Sequence, residues 1–168
     1  MGDIDQHTFE AHYGALLAFC RRRSDSAHDA EDAAAETLVV AWRKRGDVDE
    51  ISRAWLLAIA RRVLANQRRG ARRRLRLTER LHTEVVVHVD PAAEGTPLAE
   101  AFAALSERDR ETLALVAWDG LTPQEAARVA GVSDQAFHVR LHRARRRLRA
   151  ALEDPTPEPI ATCPTTSS

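Results

Sequence analysis

TPQEAARVAGVSDQAFHVRLHRARRRLRAAL, residues 122–152, decides the fold of this chain. Thr122 offers an N-cap hydroxyl, Pro123 a first-turn residue that has no N–H to leave unpaired, and Glu125 a carboxylate three positions after the cap. A helix therefore opens at Thr122. Gly131 closes it after a short run, because glycine enters the left-handed region without a Cβ clash. Ser133 caps again, and a long helix follows from Asp134 to about Leu152. Within it Phe137, Leu141, Ala144 and Leu148 fall at i, i+4, i+7 and i+11, a single inward stripe. A short helix, a tight glycine turn and a longer basic helix make the sequence form of a helix-turn-helix.

Working outward, Ser106 with Asp109 caps a preceding helix expected to bury Leu113, Val116 and Ala117 and to end at Asp119-Gly120. A shorter helix covers about 97–105. In the N-terminal half, Phe9, Tyr13, Leu16, Leu17 and Cys20 recur at three- and four-residue intervals over 7–23, one face of an amphipathic helix. Ser26 opens a second helix with Asp29, Glu31 and Asp32 early and Arg43-Lys44-Arg45 late, both complementing the helix dipole, and Gly46 is read as its stop. A third begins near Ser52 and sets Trp55, Leu56, Ile59, Ala60 and Val63 against Arg61, Arg62, Arg68 and Arg69, with Gly70 a point of kink or break. Helical periodicity lapses over 82–96, which reads as a linker, and the Pro/Thr/Ser-rich stretch 154–168 reads as a disordered tail. The expected architecture is all-α: two small helical domains, 1–81 and 97–153, joined by a flexible linker.

Composition narrows the function classes. No apolar run among the 168 residues approaches the roughly 18–20 that a membrane span requires, and 30% of the chain is charged. The start, Met1-Gly2-Asp3-Ile4-Asp5, has neither a basic nor an apolar leader region, so a cytoplasmic protein is expected. Cys20 and Cys163 sit in unlike settings, which argues against a disulfide scaffold or a cysteine metal site. The net charge of zero hides segregation: residues 1–50 carry −5, 51–80 carry +9, 81–125 carry −7, 126–150 carry +6 and 151–168 carry −3. Nearly all the positive charge is arginine, the side chain suited to bidentate phosphate and guanine contacts.

Two basic helices on two helical domains point to nucleic acid. In the last helix His138, Arg140, His142 and Arg143 are the expected readers of base edges, and Arg145, Arg146 and the arginines up to Arg149 the expected phosphate contacts. No Gly-rich phosphate loop, nucleophile elbow or H-E-x-x-H is present, and the carboxylates cluster at helix starts, where capping accounts for them. His138 and His142 stand at i, i+4 without a third metal ligand in sequence range. No enzyme, metal or cofactor is expected.

A family resemblance covers almost the whole chain. Asp29-Ala30-Glu31-Asp32-Ala33-Ala34-Ala35-Glu36-Thr37-Leu38-Val39-Val40-Ala41-Trp42 resembles the D-A-E-D-hydrophobic-x-Q-E-T-F-x-x-A-W signature of region 2 in sigma-70-type RNA polymerase sigma factors. Ala54-Trp55-Leu56-Leu57-Ala58-Ile59-Ala60-Arg61 is similar to the W-L-x-x-I-A-R segment that follows it. Ala104 to Glu111, Gly120 to Ala127 and Arg140 to Arg145 resemble region 4. Two such regions with only a linker between them resemble the extracytoplasmic-function (ECF) subgroup. The resemblance implies a transcription-initiation subunit with core RNA polymerase (beta-prime and beta subunits) and promoter DNA as partners, and an anti-sigma factor as a further one. It assigns Asp29, Asp32, Glu36 and Trp42 to core polymerase. It assigns Arg61, Arg62, Asn66 and Arg69, with the loop 46–51, to the minus-ten element, and the last helix to the minus-thirty-five element. A helix-turn-helix regulator that never engages polymerase is the alternative, and it leaves the Asp29–Trp42 signature without a role.

The chain also departs from that pattern. Ala35 stands for the usual Gln, Leu38 for Phe, Arg62 for Asn and Asn66 for Asp. The common T-V-[KR]-S-R becomes Ala136-Phe137-His138-Val139-Arg140, without its two hydroxyls.

Overall fold

The computed structural model describes residues 6–75, Val87 and 95–153, with backbone alone at 6–9 and 71–75. Most of the expected linker 82–96 and the expected tail 154–168 therefore lie outside the described residues. Seven α-helices are described: α1 Gln6–Arg21, α2 Ala27–Lys44, α3 Arg53–Leu75, α4 Pro97–Ala103, α5 Glu107–Ala117, α6 Pro123–Ala130 and α7 Asp134–Glu153. There is no strand among them. None is long and apolar enough to cross a membrane.

α1, α2 and α3 pack on one another, and α5, α6 and α7 form a second group with α4 laid on α7. The buried face of α2 is almost all small: Ala30, Ala33, Ala34, Thr37 and Ala41. Small side chains let helices approach closely, since interaxial distance follows the residues at the contact. Leu16, Phe19 and Cys20 of α1 and Leu56, Leu57, Ala60, Val63 and Leu64 of α3 complete this core. Tyr13 was expected on the same inner face of α1 but is 43% exposed. In the second group Phe137, Leu141 and Ala144 of α7 meet Leu113, Ala114 and Leu115 of α5 and Ala126, Ala127 and Val129 of α6. Truncating a fully buried phenylalanine such as Phe137 costs about 3–5 kcal/mol.

The caps form as their residue types dictate. Ser26 Oγ accepts the Asp29 N–H at 3.0 Å, and Ser106 Oγ accepts that of Asp109 at 3.2 Å. Thr122 and Glu125 make a full capping box, with Pro123 in the first turn, and Gly131 adopts φ 70° to end α6.

Three further local expectations are corrected. Gly46 does not stop α2; a 3-10 turn over Arg45–Asp47 carries the chain through it, because Arg45 remains in the right-handed region. Gly70 does not break α3, whose helix runs on to Leu75. On α5 the inward residues are Leu113, Ala114 and Leu115, whereas Ala117 is exposed and Val116 half-buried. The two helical groups also touch directly: α3 packs on α6 as well as on α1 and α2. That second contact widens the buried arc of α3 beyond the single stripe expected.

Candidate nucleic-acid and partner interfaces

α7 presents one broad basic face. His138, His142, Arg143, Arg145 and Arg146 are exposed, and Arg140 is half-buried on the flank. With about 100° of rotation per residue, Arg146 stands roughly opposite the Phe137–Leu141–Ala144 line, His142 and Arg143 to either side of it, and Arg140 near the helix edge. The expected readers are thus not equivalent. His142 and Arg143 point away from the core, while Arg140 is placed to flank a groove. His138 folds back along the helix, its Nδ1 donating to Asp134 O at 2.9 Å, which leaves Nε2 outward. Arg147 is engaged within the fold, its Nη1 2.6 Å from Asp109 Oδ2, so it ties α7 to α5.

α3 divides its arginines. Arg62, Asn66 and Arg69 are exposed and recur at i, i+4 and i+7, one stripe along the helix. Arg69 donates to Asn66 Oδ1. Arg61 lies off this stripe, its Nε 3.5 Å from Glu111 Oε1 of α5. The expectation grouped these four residues; the structure brings three together and turns the fourth toward the other helical group.

On α2, Asp29 is occupied by its own cap, its carboxylate accepting from Ser26 Oγ at 2.6 Å. Asp32 is exposed with His28 Nε2 at 3.5 Å. Glu36 accepts from Gln67 Nε2 of α3 at 3.0 Å. Trp42 is no core residue: it is 52% exposed, with the Arg45 guanidinium 3.9 Å above its ring. Leu38, Val39, Trp42 and Arg43 line a shallow surface depression of about 510 Å³. Asp29 and Trp42 are separated by roughly 20 Å along the helix axis, so only a long partner surface meets both.

The residues missed by sequence reasoning join the two groups. Arg23, fully buried after the end of α1, has Nε 2.9 Å from Glu111 Oε2 and Nη2 2.8 Å from Asp119 Oδ2. Its guanidinium also donates to Phe19 O at 3.2 Å and lies 3.6 Å from the centroid of the Phe19 ring. Arg22 donates to Asp119 Oδ1. Arg53 Nη2 donates to Gly120 O at 2.6 Å. One signal was available: Arg23 falls four residues after Phe19 and three after Cys20, in phase with the core face, where an unpaired charge is not tolerated. Beside this cluster, burial pushes the Cys20 thiol up to about 12, against the opposing pull of Arg23. It is a neutral core residue, and among the described residues no group of three His, Cys, Asp or Glu side chains could hold a metal.

Residues 8–74 match the family model for sigma-70 region 2, and residues 96–148 that for sigma-70, region 4. The ECF RNA polymerase sigma factor SigL of Mycobacterium tuberculosis (strain ATCC 25618 / H37Rv) is 30% identical over 154 residues, covering 87% of each chain. The ECF RNA polymerase sigma factor SigF of Caulobacter vibrioides (strain NA1000 / CB15N) is 37% identical over 135 residues, covering 75% of this chain and 72% of its own. Among solved structures, the sigma factor RpoE bound to the anti-sigma factor NepR, from Bartonella quintana, superposes with a TM-score of 0.68 at 28% identity, over 88% of this chain and 96% of that one. CnrH in complex with the cytosolic domain of CnrY gives 0.62 at 28% identity, over 89% and 88%.

Proposed function

The chain belongs to the sigma-70 family of RNA polymerase sigma factors, in its ECF subgroup, and on that premise we propose how its surfaces divide the work. α7 enters the major groove at the minus-thirty-five element, with His142 and Arg143 toward base edges and Arg140, Arg145 and Arg146 toward phosphates. His138 offers Nε2 to either. The stripe Arg62, Asn66 and Arg69 on α3 meets the minus-ten element, and Arg61 joins it by exchanging Glu111 for a phosphate. Asp32, Glu36 and Trp42 on the outer face of α2 dock on core polymerase, and Asp29 contributes chiefly by holding the start of that helix. The working modules are 1–81 and 97–153, connected by 82–96.

The observation that carries this reading is the coincidence of two exposed arginine-rich helix faces with two matched sigma regions in the right order. The protein acts in the cytoplasm by binding rather than by catalysis. RpoE was solved with an anti-sigma factor, which supports an inhibitor of that kind for this chain as well. A polymerase-independent helix-turn-helix regulator is not favoured, because it leaves the region 2 match over 8–74 unused.

Run-off transcription with purified core polymerase tests the reading. Promoter-dependent transcripts that require this chain are expected. Specific duplex binding that core polymerase neither enhances nor redirects, with no transcript, would replace it by the regulator.

A further inference from the structure

Val139 is 46% exposed on α7. It lies roughly opposite the buried Phe137–Leu141–Ala144 line at about 100° per residue. Its neighbours at i−4, i+3 and i+4, Gln135, His142 and Arg143, are exposed and polar, and Ala136 at i−3 is half-buried. An isolated surface valine ordinarily calls for no explanation. This one stands in the middle of the basic face, in the half of the helix that approaches base edges, on the second turn after the Ser133 cap. Helix propensity does not favour it there, since valine is a weaker helix former than alanine, lysine or arginine.

The chemistry of the groove supplies the matching partner. The major-groove edges of the four bases carry hydrogen-bond donors and acceptors, and one apolar group, the C5-methyl of thymine. A hydrogen-bond-seeking base edge facing Val139 would be desolvated without compensation, whereas a thymine methyl would be buried favourably. A β-branched side chain is also held to one dominant χ1 rotamer in a helix, so the contact surface is preorganised. We propose that Val139 is a specificity-determining residue that reads the 5-methyl group of one thymine in the duplex bound by α7. The inference rests on α7 being the groove helix, as argued above.

The test uses holoenzyme assembled from the full chain and core polymerase. A duplex enriched from a randomised pool is remade with each thymine in turn replaced by deoxyuridine, which removes only the methyl. One position within the α7 footprint should then lose about fourfold in affinity, equivalent to the ~0.8 kcal/mol of one buried carbon group. Val139→Ala should weaken binding to the thymine duplex and make that position indifferent to deoxyuridine. Circular dichroism melting checks the variant's fold, which an exposed alanine should not weaken. If no thymine in the footprint responds, or if its response persists in Val139→Ala, the assignment is overturned. Failure of holoenzyme to enrich any duplex beyond core polymerase alone would instead remove the sigma-factor reading on which the assignment stands.

Discussion

Arg23 Nη2 stands 2.8 Å from Asp119 Oδ2, and neither side chain has exposed surface. The pair joins the end of the first helix to the end of the fifth, and Glu111 takes the second edge of the same guanidinium at 2.9 Å. A buried pair is weak evidence for net stability, but breaking one leaves an uncompensated charge.

Asp119→Ala is therefore expected to destabilise the chain by ~3–5 kcal/mol in urea unfolding. The double variant Arg23→Met/Asp119→Leu should cost clearly less than the two single changes summed, because apolar replacement removes both desolvation penalties. Strict additivity would mean that the two side chains are not energetically coupled. Small-angle scattering should also show a larger radius of gyration for Asp119→Ala if this cluster holds the two helical groups together.

Gly120 follows Asp119 with φ 61°, and a Cβ there would lie 3.1 Å from Arg53 Nη2. Gly131 has φ 70° with nothing within 4 Å of such a Cβ. Gly131→Ala thus incurs only the left-handed backbone strain, roughly 1–2 kcal/mol. Gly120→Ala adds displacement of Arg53 from the Gly120 carbonyl. Its excess cost over Gly131→Ala should disappear in an Arg53→Ala background, and an excess that survives there would trace to some other contact.

Hydrogen bonds from the Thr122 backbone N–H and hydroxyl hold the Glu125 carboxyl below its ordinary 4.5. A depressed folded-state value stabilises the fold above the unfolded-state value and is lost as pH falls through the folded one. The thermal midpoint of the native chain should exceed that of Glu125→Gln near pH 7, and the gap should narrow below about pH 4.5. Thr122→Ala should cost about 1 kcal/mol through the lost cap. A Glu125→Gln gap independent of pH between 3 and 7 would show that the ionised form is not what the cap binds.

Trp42 contributes an exposed ring stacked by Arg45 rather than core packing. Trp42→Ala should leave unfolding free energy within about 1 kcal/mol of the parent. If α2 is the polymerase-docking helix, affinity for core polymerase should fall by ~30-fold or more, the behaviour of an aromatic hot spot. Equal affinities in a competition assay would exclude Trp42 from that interface.

Much of the local structure is legible in the amino-acid sequence. Ser26, Ser106, Thr122 and Ser133 announce helix starts because their hydroxyls answer orphan N–H groups one turn away, an interaction that needs no tertiary context. Gly131 announces an end for the same local reason. The inward stripe of α7 followed from periodicity alone. Gly46 and Gly70 misled because a glycine permits a break without requiring one. On α5, the choice of Ala117 over Ala114 as an inward residue erred because Glu111 and Asp119 also face inward, and they do so to meet Arg23.

The site was legible as a set of residue types but not as an arrangement. Arg61, Arg62, Asn66 and Arg69 read as one basic group, yet Glu111 lies fifty residues downstream of Arg61 and no local rule links them. Trp42 could be read as core or surface until the alanine face of α2 showed which side packs.

The residue order by itself determined where helices begin, that all described elements are helical, and that positive charge is gathered on two of them, since capping, periodicity and composition act within a few residues. Only the tertiary structure decided which arginines are free for a polyanion and which are consumed inside the protein. That choice depends on distant carboxylates brought within about 3 Å, where desolvation makes an unpaired charge costly and a paired one tolerable.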